Sequence, residues 1–331
     1  MKDKQNRFQS SLSGHIEAFL AHKRALGNDF STEERGLRLL DRYLVKEHVE
    51  SIEEITSQML DSFLASRPRL SSRSYNHLLG CLRRLFKWLV LHEVILHSPL
   101  SAQPKRNTPL RKPFLFDKTL ARRLLEAAVY LPDRPNCRLR GETYRMIFAM
   151  LYGLGLRVGE VTRLYRKDLD FDRQLVVVYQ TKFSKSRLVP FGPRMFARLC
   201  EYLQKRESNF GTLQPDHSVF SFAKDSRKQI NPTTISWTFH KLLTTLNFSI
   251  PTGVTPPHLH CLRHSFAVGT LLRWYKAGVD PSQRLFFLST FLGHVSPSST
   301  AVYLTITKEL LQEGCKRFEQ FVAPILLEVK K

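Results

Sequence analysis

Four short segments of this chain carry side chains able to do chemistry together. Tyr152-Gly-Leu-Gly-Leu-Arg-Val-Gly-Glu160 sets Arg157 three residues before Glu160 at the start of an apolar helical stretch. Thr181-Lys-Phe-Ser-Lys-Ser-Arg187 offers Lys182 and Lys185 in a polar turn. Pro257-His-Leu-His-Cys-Leu-Arg-His-Ser-Phe266 opens a helix with His260 and Arg263 one turn apart, hence on one face. Leu292-Gly-His-Val-Ser-Pro-Ser-Ser-Thr-Ala-Val-Tyr303 places His294 nine residues before Tyr303. Two arginines, a lysine, two histidines and a tyrosine are the groups that an anionic substrate and an oxygen nucleophile require.

Each segment taken alone has an ordinary reading. Arg157 and Glu160 fit an i,i+3 helix pair, the lysines fit solvated turn charges, and Tyr303 is one of ten tyrosines that core packing would explain. Two metal readings also compete. His260 and His264 have i,i+4 spacing, but Cys-Leu-Arg lies between them without the glutamate of a zinc protease. His258-Leu-His260 resembles the His–hydrophobic–His metal pair of tyrosine-dependent nicking enzymes. Those pairs sit on a strand, whereas Pro256-Pro257 and the run after them read as a helix start.

In this order the four segments resemble the tyrosine recombinases of the phage-integrase and Xer family. Their signature is G-L-R-x-x-E, a hairpin lysine, H-x-L-R-H, and L-G-H followed by the tyrosine; the likeness spans roughly residues 10–325. It implies that Tyr303 attacks a DNA phosphate to form a 3′-phosphotyrosine, with Arg157 and Arg263 clamping the non-bridging oxygens through their planar forks. It further implies His260 as general base, Lys182 as donor to the departing 5′ oxygen, His294 as hydrogen-bond donor to the phosphate and Glu160 as a supporting group. No metal and no cofactor is implied, because the phosphotyrosine bond stores the energy needed to rejoin the strand. Thirty residues separate Arg263 from His294, more than in compact Xer-type members, and this favours recombinases of transposons and integrative elements. Three other functions stay open: a type IB topoisomerase-like enzyme, a catalytically silent DNA-binding protein, and the metal-dependent nicking enzyme.

The elements that must position these groups read as mainly α with a small antiparallel β-sheet, an α+β chain in two domains. Helices are expected near 12–27, 31–48, 56–66 and 73–93, with Ser31 and Glu34 as a capping box and a buried stripe from Tyr75 through Leu78, Leu79, Leu82, Leu85, Phe86 and Leu89 to Val90. They would form a helical SAM-like core DNA-binding domain over 1–98. A basic, proline-rich linker follows over 99–113, then a catalytic domain over 114–331. The latter is expected to have helices near 117–130 and 141–154, a hairpin from strands 174–181 and 187–191, helices beyond, and loops around 207–232 and 247–257. A terminal helical segment with Phe318, Phe321, Val322, Ile325 and Leu326 would dock on its own domain or on a neighbouring subunit.

Charge agrees with an extended polyanionic partner. The 331 residues carry 51 basic and 29 acidic side chains, a net charge of +22. Residues 1–112 hold 19 basic against 12 acidic groups and 113–331 hold 32 against 17, so the excess is spread and not gathered in a tail. The expected partner is duplex DNA. Its phosphates would be gripped by Arg35, Arg38, Arg42, Arg73, Arg84 and Lys87 on the first domain and by Lys105, Arg106, Arg111 and Lys112 in the linker. A homo-oligomer on DNA, a tetramer in the synapse, is expected, with related recombinase subunits as a further option. Five scattered cysteines without C-x-x-C spacing, no long apolar run and no secretory leader point to a reduced, cytoplasmic protein without membrane contact. Replacing one gripping residue, Lys87→Gln, should weaken DNA binding and lower the log K against log salt slope by about 0.9. Single-turnover cleavage in saturated complexes should be unchanged; a salt slope equal to wild type would remove Lys87 from the grip.

Overall fold

The computed structural model describes residues 8–305 apart from 67–70, 107–111, 136, 180–185, 223–226, 295 and 297, and also describes 312 and 315. The chain forms two compact units, Met1–Leu110 and Arg111–Lys331.

The first unit is helical because its apolar residues recur at helical spacing in four stretches. These are α1 (Ser13–Ala25), α2 (Ser31–Lys46), α3 (Ser57–Ala65) and α4 (Ser72–Leu91). From the expected α4 stripe, Leu78, Leu79, Leu82, Leu85, Phe86 and Leu89 are buried against Leu37, Leu40 and Leu44 of α2 and Ile16 and Phe19 of α1. Tyr75 and Val90 are half-buried at its ends. Asp41, buried on α2, accepts the Gln9 and Ser10 amides and so ties the incoming chain to that helix. Thr56 and Ser71 cap α3 and α4 with their side-chain oxygens.

The expected capping box at Ser31 does not form. Ser31 is already helical, Phe30 before it is left-handed, and the Ser31 hydroxyl donates to Asp29 at 2.7 Å. Glu34 instead takes the Arg38 and Arg24 guanidinia, charge-assisted bonds that outcompete a backbone amide. Beyond α4, the chain lies along the bundle. Ser101 bonds Ser57, the Ala102 carbonyl accepts from Arg83, and Asn76 exchanges two hydrogen bonds with the Lys105 backbone.

The second unit is built on α6 (Arg140–Gly153), a helix buried almost all round, with α5 (Lys118–Val129) beside it. Gly141 allows this approach: a Cβ there would stand 2.2 Å from the Val129 carbonyl oxygen. The short helix α7 (Val158–Thr162) leads to a three-stranded antiparallel sheet of β1 (Leu169–Asp170), β2 (Leu175–Val178) and β3 (Arg187–Pro190), in that order. The register pairs Leu175 with Pro190 and Val178 with Arg187, which starts β3 just after the turn. β1 is only two residues long and has no pattern that a sequence can display.

Three further long helices follow: α8 (Pro193–Phe210), α9 (Pro232–Leu243) and α10 (His260–Lys276), the last packed on α6. α8 runs four residues into the expected loop. α11 (Pro281–Leu292) packs on β3 and α10, and α12 (Ser298–Ala301) precedes a single 3-10 turn, Val302–Thr305. The expected terminal segment around Phe318 lies outside the described residues. Gly141→Ala should lower stability by about 2 kcal/mol, because the clash is with backbone that cannot rotate away. A denaturant midpoint equal to wild type would show that α5 and α6 separate freely.

Candidate active site

Residues from five elements converge at the C-terminal end of α11. A helix end leaves its last carbonyls without intrahelical partners. Here three arginines take them. Arg187 Nε donates to the Phe291 carbonyl at 2.8 Å, Arg263 Nη2 to that of Leu292 at 2.5 Å, and Arg157 Nη2 to that of Gly293 at 2.9 Å. Arg263, 1% exposed, also donates from Nη1 to the Gly155 carbonyl at 2.6 Å, while its Nε has no partner among the described residues.

Glycines make this convergence possible. Gly155 has φ +60 and a Cβ there would meet the Phe266 ring at 2.5 Å; Gly293 has φ +66 and a Cβ would meet Arg187 Nη1 at 2.8 Å. These are the second glycine of Gly153-Leu-Gly155 and the glycine of Leu292-Gly-His294.

Beneath the arginines lies Glu160, 3% exposed. Arg187 grips it with two bonds, Nη1 to Oε1 at 2.9 Å and Nη2 to Oε2 at 2.8 Å. Arg157 adds Nη1 to Oε1 at 2.7 Å and its own amide to Oε2 at 2.9 Å. Burial by itself would raise the Glu160 pKa, but the bonds and charge of Arg187, then those of Arg157, hold it at about 2. Three guanidinia therefore face one carboxylate, leaving an uncompensated positive charge that an anion would neutralise.

Tyr303, 4% exposed, is in the 3-10 turn, and its hydroxyl lies 2.8 Å from His264 Nδ1. Burial raises its pKa, and the Arg263 and Arg157 charges pull in the opposite direction. His264 is pushed down to about 4 by burial and by the His258 and Arg263 charges, so it is neutral near pH 7. His294 lies at about 4 through burial and the Arg263, Arg157 and Arg187 charges, and its Nδ1 is 2.6 Å from Thr300 Oγ1. His260 packs edge-on against His264, with ring centroids 4.6 Å apart, while its other side meets solvent. The enclosing site and the His264 and Arg263 charges lower its proton affinity.

Arg157, Glu160, Arg263, His294 and Tyr303 thus come together, with His260 at the rim. Lys182 and Arg111 lie outside the described residues. Two participants were not singled out from sequence: Arg187, hidden as the first residue of a strand, and His264, whose i,i+4 spacing to His260 suggested only a metal pair. Among the described residues no group of histidine, cysteine or acidic side chains has a metal-holding arrangement. His258 stands just before a helix, with Nδ1 3.2 Å from Cys261 Sγ, and is not on a strand.

The expected grip in the first unit is partly engaged internally. Arg38 pairs with Glu34 and lies 4.7 Å from the Phe8 ring centroid, and Arg84 pairs with Glu33 at 3.4 Å. Arg35, Arg42, Arg73, Lys87 and Arg106 are exposed; Lys105 stacks on Tyr75. Lys112, in the second unit, is exposed, and its carbonyl accepts from the Thr255 amide at 2.9 Å.

A helical unit followed by a mixed unit, with one tyrosine hydroxyl set among guanidinium and imidazole groups, defines an enzyme that transfers phosphoryl groups through tyrosine. The chain belongs to the phage integrase family, the tyrosine recombinases, which are DNA strand-transferring enzymes that need no metal. The family's model matches residues 118–309, and that of the N-terminal SAM-like domain of phage integrases matches residues 31–93. A protein assigned as an integrase/recombinase, y4rB of Sinorhizobium fredii, is 32% identical over 310 residues, covering 92% of this chain and 96% of that protein. The fold is shared with the Tn1549 transposon integrase in complex with a circular intermediate DNA, at 18% identity and a TM-score of 0.63 over 92% of this chain and 99% of that one. It is also shared with a lambda integrase in a tetramer bound to a Holliday junction, at 17% identity and a TM-score of 0.61 over 87% and 79%. Among the described residues no helix is long and apolar enough to cross a membrane.

The buried carboxylate makes a signed prediction. Because the folded pKa of Glu160 lies below its ordinary 4.5, its ionisation stabilises the fold fully above that value, and the contribution is lost as pH falls toward 2. The stability difference between wild type and Glu160→Gln should shrink by about 3 kcal/mol from pH 5 to pH 2 in denaturant melts. Parallel pH curves would show that the carboxylate's charge is not what holds the arginines.

Proposed function

We propose that this protein is a site-specific recombinase of a mobile element, which cuts and rejoins duplex DNA for integration or excision. The observation carrying this reading is the convergence of Arg157, Arg263, His294 and the Tyr303 hydroxyl in one pocket with excess positive charge. Arg157 and Arg263 hold the two non-bridging oxygens of the scissile phosphate, and their position is set by carbonyls and by Glu160 before DNA arrives. His294 hydrogen-bonds the same phosphate, His260 acts as general base toward the Tyr303 proton, Tyr303 forms the 3′-phosphotyrosine, and Lys182 protonates the 5′ oxygen. The reaction conserves bond energy, so the 5′ hydroxyl of a partner strand reverses it.

Residues 1–98 grip DNA as the core-binding domain, 99–113 form the linker, and 114–331 carry catalysis. The spread charge of +22 supports a clamp on duplex DNA. Four copies assemble on two sites, and the reaction takes place in the cytoplasm. Likeness to a transposon integrase and the thirty residues between Arg263 and His294 favour a mobile element over a housekeeping role.

The test is a suicide substrate, nicked so that cleavage releases a short fragment and traps the adduct. Wild type should accumulate a chelator-resistant 3′-linked adduct on cognate ends, and Tyr303→Phe should form none while binding DNA normally. An adduct in Tyr303→Phe would remove Tyr303 as nucleophile. Equal cleavage of random duplex would favour a topoisomerase, DNA binding with no wild-type adduct would favour a silent binding protein, and a chelator-sensitive 5′ adduct would favour the nicking enzyme.

A further inference from the structure

Arg187 is a charged residue on the inner face of a strand. Side chains alternate along β3, so Arg187 shares a face with buried Val189, and Leu188 between them is exposed. The Arg187 side chain is 7% exposed, a place where a guanidinium persists only when its charge and its donors are met. Three bonds meet them: both Nη atoms donate to the Glu160 carboxylate and Nε to the Phe291 carbonyl.

Arg157 hangs from Arg187 by two routes. Through the carboxylate, Glu160 Oε1 accepts from both guanidinia, from Arg157 Nη1 at 2.7 Å and from Arg187 Nη1 at 2.9 Å. Through the helix end, Arg187 Nε donates to the Phe291 carbonyl at 2.8 Å, and Arg157 Nη2 donates to the Gly293 carbonyl, two residues on, at 2.9 Å. The turn between them is closed by its own backbone, with the Gly293 amide donating to the Thr290 carbonyl at 2.9 Å and the His294 amide to that of Ser289 at 3.0 Å. Gly293 also lies against the Arg187 guanidinium, where a Cβ would meet Cζ at 3.0 Å. A shift of Arg187 is therefore passed to both acceptors of Arg157. Exposure divides the two arginines. Arg157 is 29% exposed and has two of its five side-chain N–H donors engaged among the described residues, whereas Arg187 is nearly enclosed with three engaged. Arg157 is open to a substrate from outside, and Arg187 is turned to the protein itself.

We propose that Arg187 is a positioning residue for strand cleavage: it sets the plane of the Arg157 guanidinium by fixing the carboxylate and the helix end between which Arg157 is held. This rests on Arg157 gripping a non-bridging oxygen of the scissile phosphate. A guanidinium donates along fixed directions, so a tilt of its plane misaims the bonds to an oxygen whose charge grows in the transition state. Loss of that alignment slows the chemical step and leaves ground-state binding, which is spread over many phosphates, nearly as it was. Lysine at this position would keep a charge beside Glu160. A single ammonium does not, however, reproduce a planar fork that meets two carboxylate oxygens and a carbonyl together.

The experiment is single-turnover cleavage of the suicide substrate by full-length wild type, Arg187→Met, Arg187→Lys and Arg157→Ala, read as release of the short fragment, with DNA affinity and thermal melts in parallel. Three scissile groups are compared: the phosphate and the two methylphosphonate isomers, each with a methyl group in place of one non-bridging oxygen. A methyl carries no charge and accepts no hydrogen bond, so the arginine facing it becomes dispensable. On the phosphate, Arg187→Met should cleave about 100-fold and Arg187→Lys about 10-fold more slowly than wild type, with DNA affinity within about twofold. The isomer on which Arg157→Ala matches wild type should also bring both Arg187 variants to within about threefold of wild type on that isomer. The opposite isomer should leave them slow.

Wild-type cleavage of the phosphate by both Arg187 variants would overturn the proposal, and so would relief on the opposite isomer. Deficits of equal size on all three substrates would overturn it too, because a general disturbance of the fold does not distinguish one phosphate oxygen from the other. Should Arg187→Met melt early, the Lys variant, which retains a charge for Glu160, decides. Wild-type cleavage of the phosphate by Arg157→Ala, or an Arg157→Ala deficit that neither isomer relieves, would instead reject the reading beneath it.

Discussion

Everything at the site depends on one buried carboxylate and one helix end. Glu160 cannot stay charged in the interior unless cations compensate it, and Arg187 and Arg157 do so with four hydrogen bonds. The same arginines, with Arg263, satisfy the carbonyls at the end of α11. The helix C-terminus, negative by its dipole, and the carboxylate together hold three guanidinia in close proximity despite their mutual repulsion. Strand β3, helices α7, α10 and α11, and the loop before α7 are joined at this point.

The consequence is a site charged in advance. Guanidinium groups stay charged near neutral pH, even Arg263, which burial and then the Arg157 charge bring down to about 9, so the donors facing a phosphate are ready and need no reorganisation. Burial, with the same charge added to it, lowers the proton affinity of His264 and His294, which are therefore neutral near pH 7.

Legibility differed between the fold and the site. The α4 stripe was readable because a bundle helix buries one face and its spacing records which face it is. The capping box at Ser31 was misread because its motif is only permissive: Glu34 had two arginines within reach, one of them on α1, and nothing local announces a partner from another helix. β1 escaped notice because two residues carry no period. At the site, Arg157, Arg263, His294 and Tyr303 stood out by type and order, whereas Arg187 resembled any charged residue at a hairpin.

The sequence by itself determined the class of chemistry, the helical bundle, the hairpin and the identity of the principal charged groups. These follow from residue type and local period, which do not require knowing where the chain returns. Only the tertiary structure decided which histidine touches the tyrosine and which carbonyls orient the arginines. Glu160 and Arg187 are 27 residues apart, and Arg157 and Gly293 are 136 apart. Contacts of that range are set by the packing of α10 and α11 around α6 and β3. Which of two histidines four residues apart on α10, His260 or His264, lies against the tyrosine is settled only when the 3-10 turn Val302–Thr305 delivers Tyr303 to that face.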